Sequence, residues 1–207
     1  MFCLKVTSDE GWAAEAARSL DDVLVDHAHC EMKAASNALS LALRHPDDLG
    51  LVVALSDLAR EEIEHFQRVV GFIQRRGLAL GTPPVDAYAA KLRSAVAKLP
   101  HSRLPRVGLV DRLLVGAVIE ARSCERFKLL LARAEVIADA ELHAFYTELF
   151  ACEARHYRTF VDLAVTAADG ATAEVDARLE ILSTLEGEIV TNLGAEEKPE
   201  RRASIHG

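Results

Sequence analysis

Turn-forming and aromatic residues are scarce in this chain of 207 residues, which holds 11 glycines, 6 prolines and 5% aromatics. Alanine, leucine, glutamate and arginine dominate instead, the composition of long helices. No strand-length stretch alternates with period two between turn signals, which excludes a β-rich architecture. The four cysteines, Cys3, Cys30, Cys124 and Cys152, show no CxxC and no paired spacing. A zinc ribbon and a secreted disulfide framework are thereby excluded, and reduced thiols are expected. No apolar run approaches the ~18 residues of a membrane span, and the first residues lack a basic region followed by an apolar core. The expectation is a soluble, cytoplasmic protein without a membrane partner. An excess of cations is missing too: 24 Lys and Arg stand against 32 Asp and Glu, a net charge of −8, so any nucleic-acid contact must rest on a local patch. Hydrophobic residues at 50% and charged residues at 27% exclude disorder, and the length favours one domain with a sizeable core.

Helical periodicity accounts for most of what is present. Thr7 to Glu10 reads as a capping box before a short helix ending near Leu20. A first long helix is predicted from about Asp22 to Arg44, with Val23, Leu24, Ala28, Met32, Ala35, Leu39 and Leu43 at three- and four-residue steps until His45-Pro46 stops it. Asp47 and Asp48 start a second, Leu49 to Arg76, closed by Gly77. A connector with Gly81-Thr82-Pro83-Pro84 leads to a modest helix from about Val85 to Leu99. Long helices follow at about Arg106 to Arg133 and Asp139 to Ala168, then a last helix after Gly170. The reading is all-α: a four-helix bundle with additional short helices at the N-terminus, in the crossover and at the C-terminus. One domain spans 1–207, with the core bundle at about 20–168, a C-terminal helix at about 171–193 and a frayed polar tail at 195–207.

Chemistry concentrates in two Glu-x-x-His pairs, Glu62/His65 in the second long helix and Glu153/His156 in the fourth. Residues three apart share a helix face, so each pair aims a carboxylate and an imidazole at one point. A chain with 19 Glu and 8 His is expected to hold such a pair by composition alone; the context carries more weight. Glu31 precedes Glu62 by 31 residues within an apolar helix, and Glu120 precedes Glu153 by 33 within another, an internal two-fold design. Glu31, Glu62, His65, Glu120, Glu153 and His156 make up the ligand set of ferritin-like di-iron and di-manganese bundles. Two divalent ions would neutralise four carboxylates that otherwise repel one another on burial. These donors suit iron, manganese or other first-row ions. Glu61, beside a ligand, is a candidate supporting acid, with an ordinary surface glutamate as the alternative. His27 and His29 read as packing residues, and no role is assigned to the cysteines.

Several strings carry a more specific signal: Asp26-His27-Ala28-His29-Cys30-Glu31, Arg60-Glu61-Glu62-Ile63-Glu64-His65-Phe66, Val110-Asp111-Arg112-Leu113-Leu114-Val115-Gly116-Ala117, Ile119-Glu120-Ala121-Arg122-Ser123-Cys124-Glu125-Arg126-Phe127 and Glu153-Ala154-Arg155-His156-Tyr157. From about residue 20 to 165 the chain resembles the MiaE-type tRNA hydroxylases, ferritin-like non-haem di-iron monooxygenases. The resemblance implies two iron ions held by the six ligands and O2 as co-substrate. It implies hydroxylation of the isopentenyl group of 2-methylthio-N6-isopentenyladenosine beside the tRNA anticodon. One oxygen atom enters a C–H bond and the other leaves as water. An external electron donor is required, an electron-transfer protein or reductase, since no flavin, haem or nicotinamide motif appears.

With a tRNA anticodon stem-loop as the implied partner, the cations of residues 87 to 110 become candidate phosphate contacts: Lys91, Arg93, Lys98, Arg103 and Arg106, in a stretch without Asp or Glu. A solvated helix and loop is the plainer reading of the same residues. Two other functions fit the bundle, iron oxidation and handling of the ferritin kind, or oxidation of another small substrate. A metal-free interaction module is disfavoured by the carboxylate charge, and a rubrerythrin-like peroxidase by the absence of paired cysteines.

Overall fold

A computed structural model describes residues 2–8, 10–83, 85–100, 102–195 and 205. Among these residues every regular element is a helix: α1 (Glu10–Arg18), α2 (Leu20–Leu43), α3 (Leu49–Arg75), α4 (Ala87–Val96), α5 (Val107–Leu131), α6 (Ala134–Ile137), α7 (Ala140–Ala167) and α8 (Thr172–Ala195). The four long helices expected from periodicity are α2, α3, α5 and α7. Helix α8, with 24 residues, is as long as α2. The four-residue α6 was not anticipated; its stretch reads as a connection because one turn is too short to show a period.

Local chemistry sets the boundaries. Asp48, Asp86 and Asp139 accept hydrogen bonds from the N–H groups of Leu51, Ala89 and Leu142 at 3.1, 2.9 and 3.0 Å, each satisfying a donor that the first helical turn leaves open. Helix α3 ends in a left-handed Gly77 (φ +67°), where the Leu78 N–H reaches the Ile73 carbonyl and the Gly77 N–H the Gln74 carbonyl. This reverse wrap needs a residue without a Cβ penalty. The capping box expected at Thr7 to Glu10 lies partly outside the described residues. Within it, Ser8 donates its N–H and its hydroxyl to the two carboxylate oxygens of Glu125 at 2.9 and 2.8 Å.

The chain divides into two compact units. In one, α2 and α3 pack as an antiparallel hairpin closed by the turn around Pro46. Its core takes Val23, Leu24, Ala28 and Ala35 from α2 and Leu51, Leu55, Leu58 and Val69 from α3. Met32, Leu39 and Leu43 continue the apolar period but are exposed, at 40%, 46% and 81%, while the neighbouring Ala35, Ala38, Leu41 and Ala42 are buried; the three lie beside the buried face rather than on it. Of the stretch beyond Ala195, Ile205 alone is described: its side chain is buried, and its N–H donates to Asp26 at 2.8 Å.

The other unit contains α1 and α4 to α8. Helix α5 packs on α7, α4 and α8 and is buried around most of its circumference. Four of its charged residues, Glu120, Arg122, Glu125 and Arg126, are therefore enclosed. Arg122, with no exposed surface, donates to Glu186 of α8, to Glu125 and to the Val6 carbonyl, and Tyr88 of α4 donates to Glu186 at 3.1 Å. Arg126 stacks on Trp12 of α1, 4.6 Å from its ring centroid. Two cations and two carboxylates thus share one enclosed network, which satisfies the requirement that buried charge be paired.

Candidate metal centre

Each unit presents one glutamate and one Glu-x-x-His pair. In the α2–α3 hairpin, ligand atoms of Glu31, Glu62 and His65 lie within 4.8 Å of one another, and all three residues are buried. The His65 Nδ1 stands 3.5 Å from Glu62 Oε2 and 3.8 Å from Glu31 Oε2. In the α5–α7 hairpin, Glu120, Glu153 and His156 gather within the same 4.8 Å, again buried. His156 Nδ1 lies 3.1 Å from Glu153 Oε2. In both cases the three-residue step sets the pair on one face, and antiparallel packing brings the partner helix's glutamate to the same level. Buried carboxylates beside imidazoles, with no apolar filling of their own, form a donor set that fits first-row divalent ions.

His27, expected to be a packing residue, is buried and also pairs with the candidate ligand Glu31. Its Nε2 lies 2.5 Å from Glu31 Oε1, and the ring is 1% exposed. Burial opposes ionisation of Glu31, but a hydrogen bond with Glu62, the charge and hydrogen bond of His27 and a hydrogen bond with His65 outweigh it and bring its pKa down to about 2. The signal was present in the sequence: His27 is one turn before Glu31, a spacing that suits a side-chain pair. His29 does act in packing, against the Leu80 carbonyl at 3.0 Å.

Glu61 is half-buried on α3. All four cysteines are free thiols. Cys152 sits beside the second trio, its sulfur 3.6 Å from His156 Nε2 and 3.1 Å from an Arg155 nitrogen. Cys124 is buried, and burial followed by the Glu153 and Glu120 charges pushes its pKa up, keeping the thiol neutral. The five candidate phosphate contacts, Lys91, Arg93, Lys98, Arg103 and Arg106, are all exposed on α4 and the segment between α4 and α5. Arg106 is also the residue preceding α5 and holds a left-handed backbone (φ +47°). On the other unit, Arg76 is engaged with Asp21 at 2.8 Å.

Helical fold and carboxylate–imidazole trios together define a ferritin-like protein. A solved structure described as Protein 43 with aldehyde deformylating oxygenase activity from Synechococcus is similar to it at TM-score 0.85 and 32% identity, covering 100% of this chain and 96% of that one. The chain belongs to the MiaE family: the family described as tRNA-(MS[2]IO[6]A)-hydroxylase (MiaE) matches residues 1–200. A tRNA 2-(methylsulfanyl)-N(6)-isopentenyladenosine(37) hydroxylase of Pseudomonas putida is 39% identical over 181 residues, 87% of this chain and 83% of that protein. Another of the same name from Salmonella typhimurium is 26% identical, with 98% of this chain and 87% of that protein covered.

Proposed function

We propose that this protein hydroxylates the isopentenyl group of 2-methylthio-N6-isopentenyladenosine at position 37 of tRNA, next to the anticodon. Family membership over nearly the whole chain carries this reading, and it disfavours iron handling or oxidation of an unrelated small substrate. Among the described residues no helix is long and apolar enough to cross a membrane. A tRNA substrate puts the reaction in the cytoplasm.

The six residues Glu31, Glu62, His65, Glu120, Glu153 and His156 are proposed to hold two iron ions. Support comes from the duplicated trio, one glutamate and one Glu-x-x-His pair per hairpin. Bound iron supplies the activation of O2, with electrons from an external electron-transfer protein or reductase. The protein's own residues do the rest. His27 fixes the Glu31 carboxylate, and enclosure of the ligands keeps bulk water from the reacting atoms. Lys91, Arg93, Lys98, Arg103 and Arg106 are proposed to grip phosphates of the anticodon stem-loop, with their exposure, in a stretch of sequence from 87 to 110 without Asp or Glu, as support.

The test is nucleoside mass spectrometry of isopentenyl-bearing tRNA after incubation with iron-loaded, chemically reduced protein and O2. One added oxygen atom, absent with Glu120→Ala, is the expected result. No added oxygen from protein shown to contain reduced iron would overturn the assignment.

A further inference from the structure

The two hairpins repeat the same ligand pattern but differ in the residues around it. In an antiparallel pair, the residue four before the glutamate and the residue four after the histidine fall at one level, a helical turn of about 5.4 Å from the ligands. In α2–α3 that level holds His27, bonded to Glu31, together with Val69. In α5–α7 it holds Gly116 and Phe160. The level on the opposite side of the ligands holds Ala35 and Glu61 in the first hairpin and the thiols Cys124 and Cys152 in the second.

Of these four levels, the Gly116/Phe160 level is the one without a polar or thiol side chain, and its geometry is tight. A Cβ built on Gly116 would stand 2.9 Å from Phe160 Cε1 and Cζ and 3.0 Å from Cδ1, closer than carbon atoms approach in proteins. The ring therefore lies directly on the α5 backbone, and any side chain at 116 would force it to move. Phe160 is 8% exposed, and Gly116 is half-buried. Where the first hairpin carries a histidine that braces its glutamate, the second carries a bare stretch of backbone covered by an aromatic ring.

Resting on the function proposed above, we propose that Phe160, seated on Gly116, is the apolar wall that receives the isopentenyl group and sets which of its carbons meets the reacting centre. A branched five-carbon chain has no hydrogen-bonding group, so only burial against apolar surface can recognise it. The surface must lie within about one turn of the ligands for a C–H bond to reach the metals. Among the flanking levels, this one satisfies both conditions. The ring's position fixes the depth of the wall, and Gly116 fixes the ring.

The test measures binding of iron-loaded protein, under argon and without reductant, to two synthetic anticodon stem-loops, one carrying N6-isopentenyladenosine at position 37 and the other plain adenosine. The wild-type protein is expected to favour the isopentenyl loop. Phe160→Ala is expected to reduce that preference about tenfold while leaving affinity for the plain loop unchanged. Gly116→Ala, whose Cβ displaces the ring, also reduces it, and adding Phe160→Leu to Gly116→Ala regains part of the preference by removing the clash. With reductant and O2 added, Phe160→Leu yields a changed ratio of hydroxylated carbons. A preference and product ratio untouched by these variants, in a wild-type protein that hydroxylates the loop, would overturn the wall assignment alone. Weakening of both loops equally would reduce Phe160 to core packing and also overturn it. Failure of the wild-type protein to hydroxylate the loop, or to prefer it, would instead overturn the functional reading on which the wall rests.

Discussion

Arg122 and Glu186 meet through two parallel hydrogen bonds, Nε to Oε1 at 2.8 Å and Nη2 to Oε2 at 3.0 Å, with neither side chain exposed. The pair joins α5 to α8 across 64 residues of sequence. Arg122 is two residues from Glu120, so helical geometry puts the two on nearly opposite faces of α5. One face of the helix is anchored by charge and the other presents the buried candidate ligand Glu120. Burial opposes the Arg122 charge, but the Glu186 hydrogen bond and charge hold its pKa above the usual value.

Removing one partner of that pair leaves an uncompensated charge in the core. Arg122→Ala is therefore expected to destabilise the protein by about 3–5 kcal/mol, measured as the change in denaturant midpoint at unchanged slope. Arg122→Met combined with Glu186→Leu is expected to cost less than the sum of the two single changes. A double variant that costs as much as that sum would show that the two side chains are not coupled.

His27→Ala takes away the group that orients Glu31. Loss of such a supporting partner typically lowers metal affinity 10–100-fold, and a titration of the metal-free protein with ferrous iron under argon would measure it. His29→Ala serves as the contrast. It frees the Leu80 carbonyl, which lowers stability by about 1–3 kcal/mol without changing affinity for iron.

Chelation is expected to lower the melting temperature, because four buried carboxylates lose their neutralising cations. Restoring ferrous or manganous ion to about 100 times its dissociation constant should return about 2.7 kcal/mol. Scanning calorimetry of the wild type and of His156→Ala, with and without metal, tests this. A variant that responds to metal as strongly as the wild type would remove His156 from the ligand set.

Charge reversal at Arg103 and Arg106 is expected to weaken tRNA binding uniformly across sequences. The slope of log affinity against log salt should flatten by roughly 0.7–0.9 for each phosphate left without its cation. Filter binding at several salt concentrations measures both. An unchanged affinity and slope would leave those arginines as ordinary solvated residues.

Much of this was determined by the sequence alone, because it depends on local geometry. A three-residue step places Glu62 with His65 and Glu153 with His156 whatever surrounds the helix, and Asp48 and Asp139 cap the nearest N–H groups available to them. The strings around Glu31 and Glu120 pointed to the family for the same reason: the ligand and its neighbours are contiguous.

Tertiary structure alone decided the rest. Periodicity marked Met32, Leu39 and Leu43 as apolar but could not tell that the face of α2 buried beside them is the one with Ala35, Ala38, Leu41 and Ala42. It left His27 open between a core residue and a partner of Glu31, and in the structure it is both, buried and bonded to that carboxylate. No local pattern showed that Arg122, Glu125 and Arg126 are enclosed; α4, α8 and the N-terminal segment close around them, with partners as far as 118 residues away. Gly116 gave no sign in the sequence that a ring from α7 rests on it. A helix's period fixes which residues share a face; the chain segments that come to cover that face are chosen by packing over distances that no local pattern records.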